Sequence, residues 1–247
     1  MLVYIIFLFL VSCYANIDYV IVAFDENADE MLNHLRSCVT DNDRVFVYLK
    51  IGGVRTHANT NGVRSSVEQW NQSTPFTKIV HTMPNSWCCD EAVGYLVHIK
   101  KYYREINNYT AFLHAHVRSW HSDDVCTIVQ NGLVLLQQSK FDTQNINKPH
   151  GRRCISPRGI MGDWTSIELR NRIYENWKKW TKDENTPTRI VWDCCIQSIV
   201  KRQSIQNRSY KSWVSLLKHA IQNVQIPWEY IWPTLLDELW STQSASC

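Results

Sequence analysis

The sequence has no charge excess, no internal repeat, no low-complexity tract and no Cys-x-x-Cys pair. Its 26 Lys and Arg residues against 23 Asp and Glu residues are scattered rather than striped, which argues against a nucleic-acid partner. Without repeats, 247 residues suit one large domain with a full core. The missing Cys-x-x-Cys gives little support to a structural zinc site. No apolar run reaches the about 20 residues that a spanning helix needs. The run at 1–15, MLVYIIFLFLVSCYA, falls short and has no Lys or Arg beside it, so a permanent membrane span is not expected. It reads instead as a secretory signal peptide cut after Ala15, leaving 16–247 as a single domain. A lipoprotein-type signal at Leu10-Val-Ser-Cys13 is the rival, with the missing basic segment against it.

Cysteine and tryptophan, by contrast, are plentiful. Beyond the leader stand Cys38, Cys88, Cys89, Cys126, Cys154, Cys194, Cys195 and Cys247, an even count that in an exported chain argues for disulfides rather than catalytic thiols. Sequence alone does not assign their pairing. Sequons at Asn71, Asn108 and Asn207 fit a glycosylating compartment. The 11 tryptophans suit either a core or a surface that stacks on sugar rings, and Trp177 and Trp180, three apart on a predicted helix, read as packing residues.

Apolar runs and turn signals predict strands at 18–24, 44–50, 77–82 and 109–116, with helices at 28–38 and 90–105 between them. This alternation predicts an α/β domain with a mostly parallel sheet and a site at the carboxyl ends of its strands. The second half reads as helices at 125–139, 167–180 and 210–221, one strand at 189–200, and a last helix from about Pro227 that Pro233 should kink or divide. The stretch 141–149 reads as a polar connection, and 51–66, with its tandem glycines, as a long loop of the kind that covers substrates.

The segment Tyr109–Asp124, YTAFLHAHVRSWHSDD, concentrates the chemistry. Side chains two apart on a strand share a face, so His114 and His116 should project together, with His121, Asp123 and Asp124 following in one loop. Two imidazoles and a nearby carboxylate suit a divalent transition metal, with His114, His116 and Asp124 as the expected ligands. On the preceding helix, Glu91, Tyr95, His98 and Tyr102 form a polar-aromatic stripe that either looks into a cleft or forms a solvated or interdomain face. Arg152 and Arg153 suit a phosphate or, more ordinarily, a solvated or capping role.

Several segments together resemble a domain family of unknown function that is distantly similar to GT-A-type nucleotide-sugar glycosyltransferases. They are VIVAFDEN at 20–27, E-x-x-x-Y-L-x-H-I at 91–99, F-L-H-A-H-x-x-x-W-H at 112–121, C-C-x-Q-S at 194–198 and W-E-Y-I-W at 228–232. One departure stands out: the family's Asn-x-Gly-Arg-Glu is replaced after Asn85 by SWCCDE, without the Gly-Arg pair. The resemblance implies a Rossmann-like, GT-A-like sheet with a helix-rich C-terminal part, braced by disulfides, with Cys154 bridging to the Cys194–Cys195 pair. It also implies a nucleotide-sugar donor held by Asp25, Glu26, Tyr95, His98, His114 and His116, with imidazoles where such enzymes carry an Asp-x-Asp metal clamp. Glu229, His121 and Glu91 are the catalytic candidates, Glu229 as the base toward an acceptor hydroxyl. Besides glycosyl transfer, metal-dependent hydrolysis at the His-x-His site and non-catalytic glycan binding are open readings, each with a small-molecule or glycan partner.

Overall fold

The computed structural model describes residues 16–24, 26–50, 67–84, 91–118, 123–146, 153–156, 159–161, 167–181, 190–192, 196–222 and 228–236. The first half alternates as expected: β1 (Ile17–Ala23), α1 (Ala28–Leu35), β2 (Arg44–Lys50), the single turn α2 (Val67–Trp70), β3 (Thr77–Met83), α3 (Glu91–Tyr102) and β4 (Tyr109–His114). Then come α4 (Val125–Gln138), β5 (Thr143–Asn145), β6 (Arg153–Ser156), β7 (Gly159–Met161), α5 (Ile167–Thr181), β8 (Ile190–Trp192), β9 (Ser198–Lys201), α6 (Arg202–Asn207), α7 (Tyr210–Gln222) and α8 (Trp228–Leu236).

The main sheet has the order β3-β2-β1-β4-β9-β5, with parallel pairing from β3 to β4 and antiparallel pairing of β9 to both β4 and β5. A small antiparallel sheet, β7-β6-β8, stands apart. Strand–helix–strand crossovers join the parallel strands, and helices cover both faces. Period-2 alternation sorts the strands: Val20, Val22, Phe46, Tyr48 and Phe112 join α3, α5, α7 and α8 in one core. Tyr19, Ile21, Val45, Val47 and Leu113 join α1 and α4 in the other. All seven residues of β1 are buried, the expected state of a central strand. The domain is therefore a single α/β unit with a mostly parallel, Rossmann-like sheet and a helix-rich C-terminal part.

Two helical glycines set the layer spacing. A Cβ on Gly94 of α3 would collide with Val22 Cγ2 and lie 3.3 Å from Tyr48 Cβ. One on Gly132 of α4 would come within 2.5 Å of Ile146 Cγ2 and 2.9 Å of Ile199 Cγ2. Both helices thus rest directly on the sheet. On the α1/α4 face, a disulfide joins Cys38, just past α1, to Cys126 in the first turn of α4.

Some sequence expectations change. The strand ending in His116 stops at His114, because Phe112 pairs with Ser198 and beyond it the Gln197 side chain takes over as acceptor, receiving the His114 N–H at 3.0 Å. The single strand expected at 189–200 is two strands in different sheets, and the polar connection at 141–149 contains β5. Pro233 does not divide the last helix, whose Trp228, Ile231, Trp232, Leu235 and Leu236 are all buried. Packing there overrides the backbone penalty. Of the 11 tryptophans, Trp70, Trp177, Trp180, Trp213, Trp228 and Trp232 are buried, so these rings pack the core and form no sugar platform. The leader at 1–15, the glycine loop at 51–66, and any bridge from Cys154 to Cys194 or Cys195 lie outside the residues and side chains described.

Candidate functional site

Strand order creates a crevice between β1 and β4. The chain leaves β1 toward β2 on one side and later returns to place β4 on the other, so the connections at their carboxyl ends diverge. Val22 is in register with His114, which puts the end of β4 beside the end of β1. Helix α3 delivers Glu91 in its first turn, and β2 ends one strand away at Lys50, whose ammonium lies 5.8 Å from the centre of the Phe24 ring.

Here two imidazole–carboxylate pairs form. The inner pair is His114 Nε2 and Glu91 Oε1 at 4.0 Å, both buried; the outer is His116 Nε2 and Glu26 Oε1 at 3.7 Å, with the His116 side chain 33% exposed. Glu26 curls back to the strand end, its Oε2 accepting the Phe24 N–H at 2.5 Å, which turns Oε1 toward His116. The imidazole rings are 6.3 Å apart and nearly perpendicular, at 79°. Both contacts are longer than a hydrogen bond. Gln197 fixes the His114 backbone from behind and is itself buried.

The stripe on α3 divides: Glu91 reaches the crevice, Tyr95 and His98 face the sheet, and Tyr102 is half-buried beyond them. Tyr95 and His98 are fully buried, so neither presents surface to a nucleotide. Tyr95 packs on Phe112 and Trp232, and its hydroxyl has no hydrogen-bond partner among the described residues. Burial, and behind it the Glu91 charge, push the phenol well above its ordinary pKa. His98 Nδ1 meets the Tyr48 hydroxyl at 3.1 Å, and its Nε2 lies 3.9 Å from Asp18 Oδ2. Asp18 is in turn gripped by Arg44 at 2.8 and 2.9 Å. Burial, with Arg44 and His81 nearby, holds the His98 imidazole well below its ordinary pKa, so it is neutral at physiological pH. Burial also raises the Asp18 carboxyl, against the opposing pull of Arg44 and the Asn107 N–H.

Asp124 lies in a different grouping from the two strand-end histidines. Its Oδ1 caps α4 by accepting the Thr127 N–H at 3.0 Å, and its Oδ2 lies 2.5 Å from His34 Nε2 in the last turn of α1. Burial alone would raise this carboxyl, but the hydrogen bonds from Thr127 and the charges of His34 and Arg118 outweigh it, and the pKa falls below the ordinary value. His34, Asp124 and Cys126 offer ligand atoms within 4.8 Å of one another and form a candidate metal cluster. Among the described residues no other set of three such donors is that compact. No periodicity pointed to His34, since its partner is 90 residues away and only packing of α1 on α4 joins them. Lys50 was likewise not singled out, reading only as a strand end, and Gln197 entered only as part of the C-C-x-Q-S segment, with no role of its own.

Asp25 and His121 lie outside the described residues, and Glu229 is placed on α8 without a described side chain. Among the described residues no helix is long and apolar enough to cross a membrane. The three sequon asparagines are exposed. No curated protein matches the chain. The profile of a family described as a protein of unknown function (DUF3431) matches residues 51–247, a span that holds Glu91, His114, His116, Asp124 and Gln197, and the chain belongs to that family.

Proposed function

We propose that the crevice between β1 and β4 is a metal-dependent hydrolytic centre. The observation that carries this reading is the pair of imidazole–carboxylate contacts at 4.0 and 3.7 Å on one strand-end rim. Donors around a tetrahedral zinc are about 3.4 Å apart for bonds of about 2.1 Å, so each pair needs only a small contraction to reach that spacing. His116 must also swing toward the inner pair, since no three of these four donors lie within 4.8 Å of one another. His114, His116 and Glu91 are the ligands in this reading. Glu26, anchored by the Phe24 N–H on the more open side, is the base toward a metal-activated water. Lys50 supplies a positive charge on the same rim for an anionic group of a small-molecule or glycan substrate.

Glycosyl transfer is the second reading, favoured by the parallel β2-β1-β4 arrangement, since nucleotides bind at such switch points. There His114 and His116 face the diphosphate of a nucleotide sugar, and Glu229 serves as base. Metal analysis of the purified protein beside His114→Ala/His116→Ala separates the two. Near-stoichiometric zinc or another transition metal, lost in the folded double variant, is the expected result. Equal metal content in both proteins, together with a thermal shift by nucleoside diphosphates in the wild type alone, overturns hydrolysis in favour of transfer.

A further inference from the structure

The second cluster carries an inference of its own. Cys126 is bonded to Cys38, and a disulfide sulfur carries no charge and ligates metals poorly; the thiolate is the ligand. In the oxidised protein, therefore, His34 and Asp124 are the only effective donors of the cluster, with Nε2 and Oδ2 2.5 Å apart. Reduction changes the donor set. Cys38 and Cys126 lie on chain segments with Cα atoms 5.7 Å apart, and the Ser37 hydroxyl is 3.6 Å from Cys126 Sγ. Two thiolates, one imidazole and one carboxylate are then available: His34, Asp124 and Cys126 already offer ligand atoms within 4.8 Å of one another, and Cys38 Sγ, released from Cys126, is the fourth donor.

We propose that Cys38, Cys126, His34 and Asp124 form a redox-gated zinc site, closed as the disulfide and opened by a dithiol or phosphine reductant. The chemistry balances simply. A dithiol gives up two electrons and two protons, becoming a disulfide while Cys38–Cys126 becomes two thiols. A phosphine gives up two electrons and takes the oxygen of a water to become its oxide, and the two water protons go to the Cys38 and Cys126 sulfurs. Zinc binding then displaces the two thiol protons, and His34 ligates through an unprotonated imidazole nitrogen. Thiolate sulfurs at about 2.3 Å from zinc stand about 3.8 Å apart, so the sulfurs need only separate within their present segments. Asp124 is oriented for this role, because Thr127 holds Oδ1 and leaves Oδ2 facing the cluster. Soft sulfur with imidazole favours zinc over magnesium or calcium. An oxidising compartment keeps the site shut and a reducing one opens it. This site is separate from the β1/β4 crevice, and each proposal stands or falls alone.

The test uses the full chain, oxidised or reduced with a non-chelating phosphine, titrated with zinc against a competing chelator and with cobalt as a spectroscopic probe. Reduced wild-type protein is expected to take up one more equivalent than oxidised protein, with sulfur-to-cobalt charge-transfer absorption. Cys38→Ser/Cys126→Ser should abolish that equivalent. His34→Ala and Asp124→Asn should each weaken it at least tenfold, the latter with the helix cap preserved. His114→Ala/His116→Ala should leave it unchanged. A reduced protein that gains no metal over the oxidised one overturns the proposal, as does an extra equivalent that His34→Ala and Asp124→Asn both retain.

Discussion

Single residues in this protein owe their behaviour to the sheet beneath them. His98 has the spacing of a ligand-facing residue, yet α3 presses it against Phe46 and Tyr48, where it accepts or donates one hydrogen bond at Nδ1 and stays uncharged. The imidazole takes up a proton more easily in the unfolded chain, where its pKa is near 6.5, than in the folded protein, where burial has lowered it. The unfolded state therefore binds more protons below about pH 6.5, and stability falls as pH drops through that window toward the depressed folded pKa. His81, lowered by burial and by Lys101, acts in the same direction. Asp18 opposes it only at lower pH, since a raised carboxyl pKa favours the folded state as pH falls through the carboxylate range. The denaturant midpoint should thus decline between pH 7.5 and 5.5, with His98 alone contributing up to about 1.4 kcal/mol per pH unit. His98→Asn keeps an acceptor for Tyr48 and removes the titration, so its slope should be visibly flatter. An unchanged slope would mean that His98 is not buried neutral.

At the scale of elements, the disulfide is the main device that local sequence could not assign. It closes a loop across 88 residues and joins α1 to α4 on one face of the sheet, where both helices also pack through Leu35, Val129 and their neighbours. Losing such a cross-link costs about 2–4 kcal/mol, chiefly by freeing the unfolded chain. Cys38→Ser/Cys126→Ser should lower the urea midpoint accordingly, with little change in the native circular dichroism spectrum. Equal stability with and without the bond would show that the two segments are held by packing alone. The strands β1 to β4 were legible because each is a short apolar run between turn signals, and helices α1, α3, α4, α5 and α7 because apolar positions recur at helical spacing. The split of 189–200 into β8 and β9 was not, because both pieces are apolar and periodicity carries no mark of a change of sheet. The β6–β7 hairpin and the short α6 were missed as well. At the site, the strand end bearing His114 and His116 was readable. Their carboxylate neighbours as pairs were not, since Glu26 and Glu91 come from separate elements that only the topology brings together.

The whole molecule is organised around strands that precede the span shared with its family. The family match begins at residue 51, whereas β1 and β2 end at Ala23 and Lys50. Those two strands form the middle of the sheet: β1 separates β2 from β4, and β2 is the hydrogen-bonded neighbour of β3. Removing them would leave β3 without a strand partner, open one edge of β4, and strip Val20, Val22, Phe46 and Tyr48 from one core and Tyr19, Ile21, Val45 and Val47 from the other. A fragment 51–247 should therefore show no cooperative thermal transition and no near-ultraviolet circular dichroism, whereas the full chain shows both. A cooperative transition in the fragment would make the start of the match a true domain boundary and the first strands an addition to it. The fragment also loses Glu26, His34 and Cys38, so the crevice and the redox-gated cluster each depend on residues outside the matched span. Metal binding at either site is accordingly a property of the assembled sheet, and should be absent from the fragment even where individual ligands such as His114 or Asp124 are present.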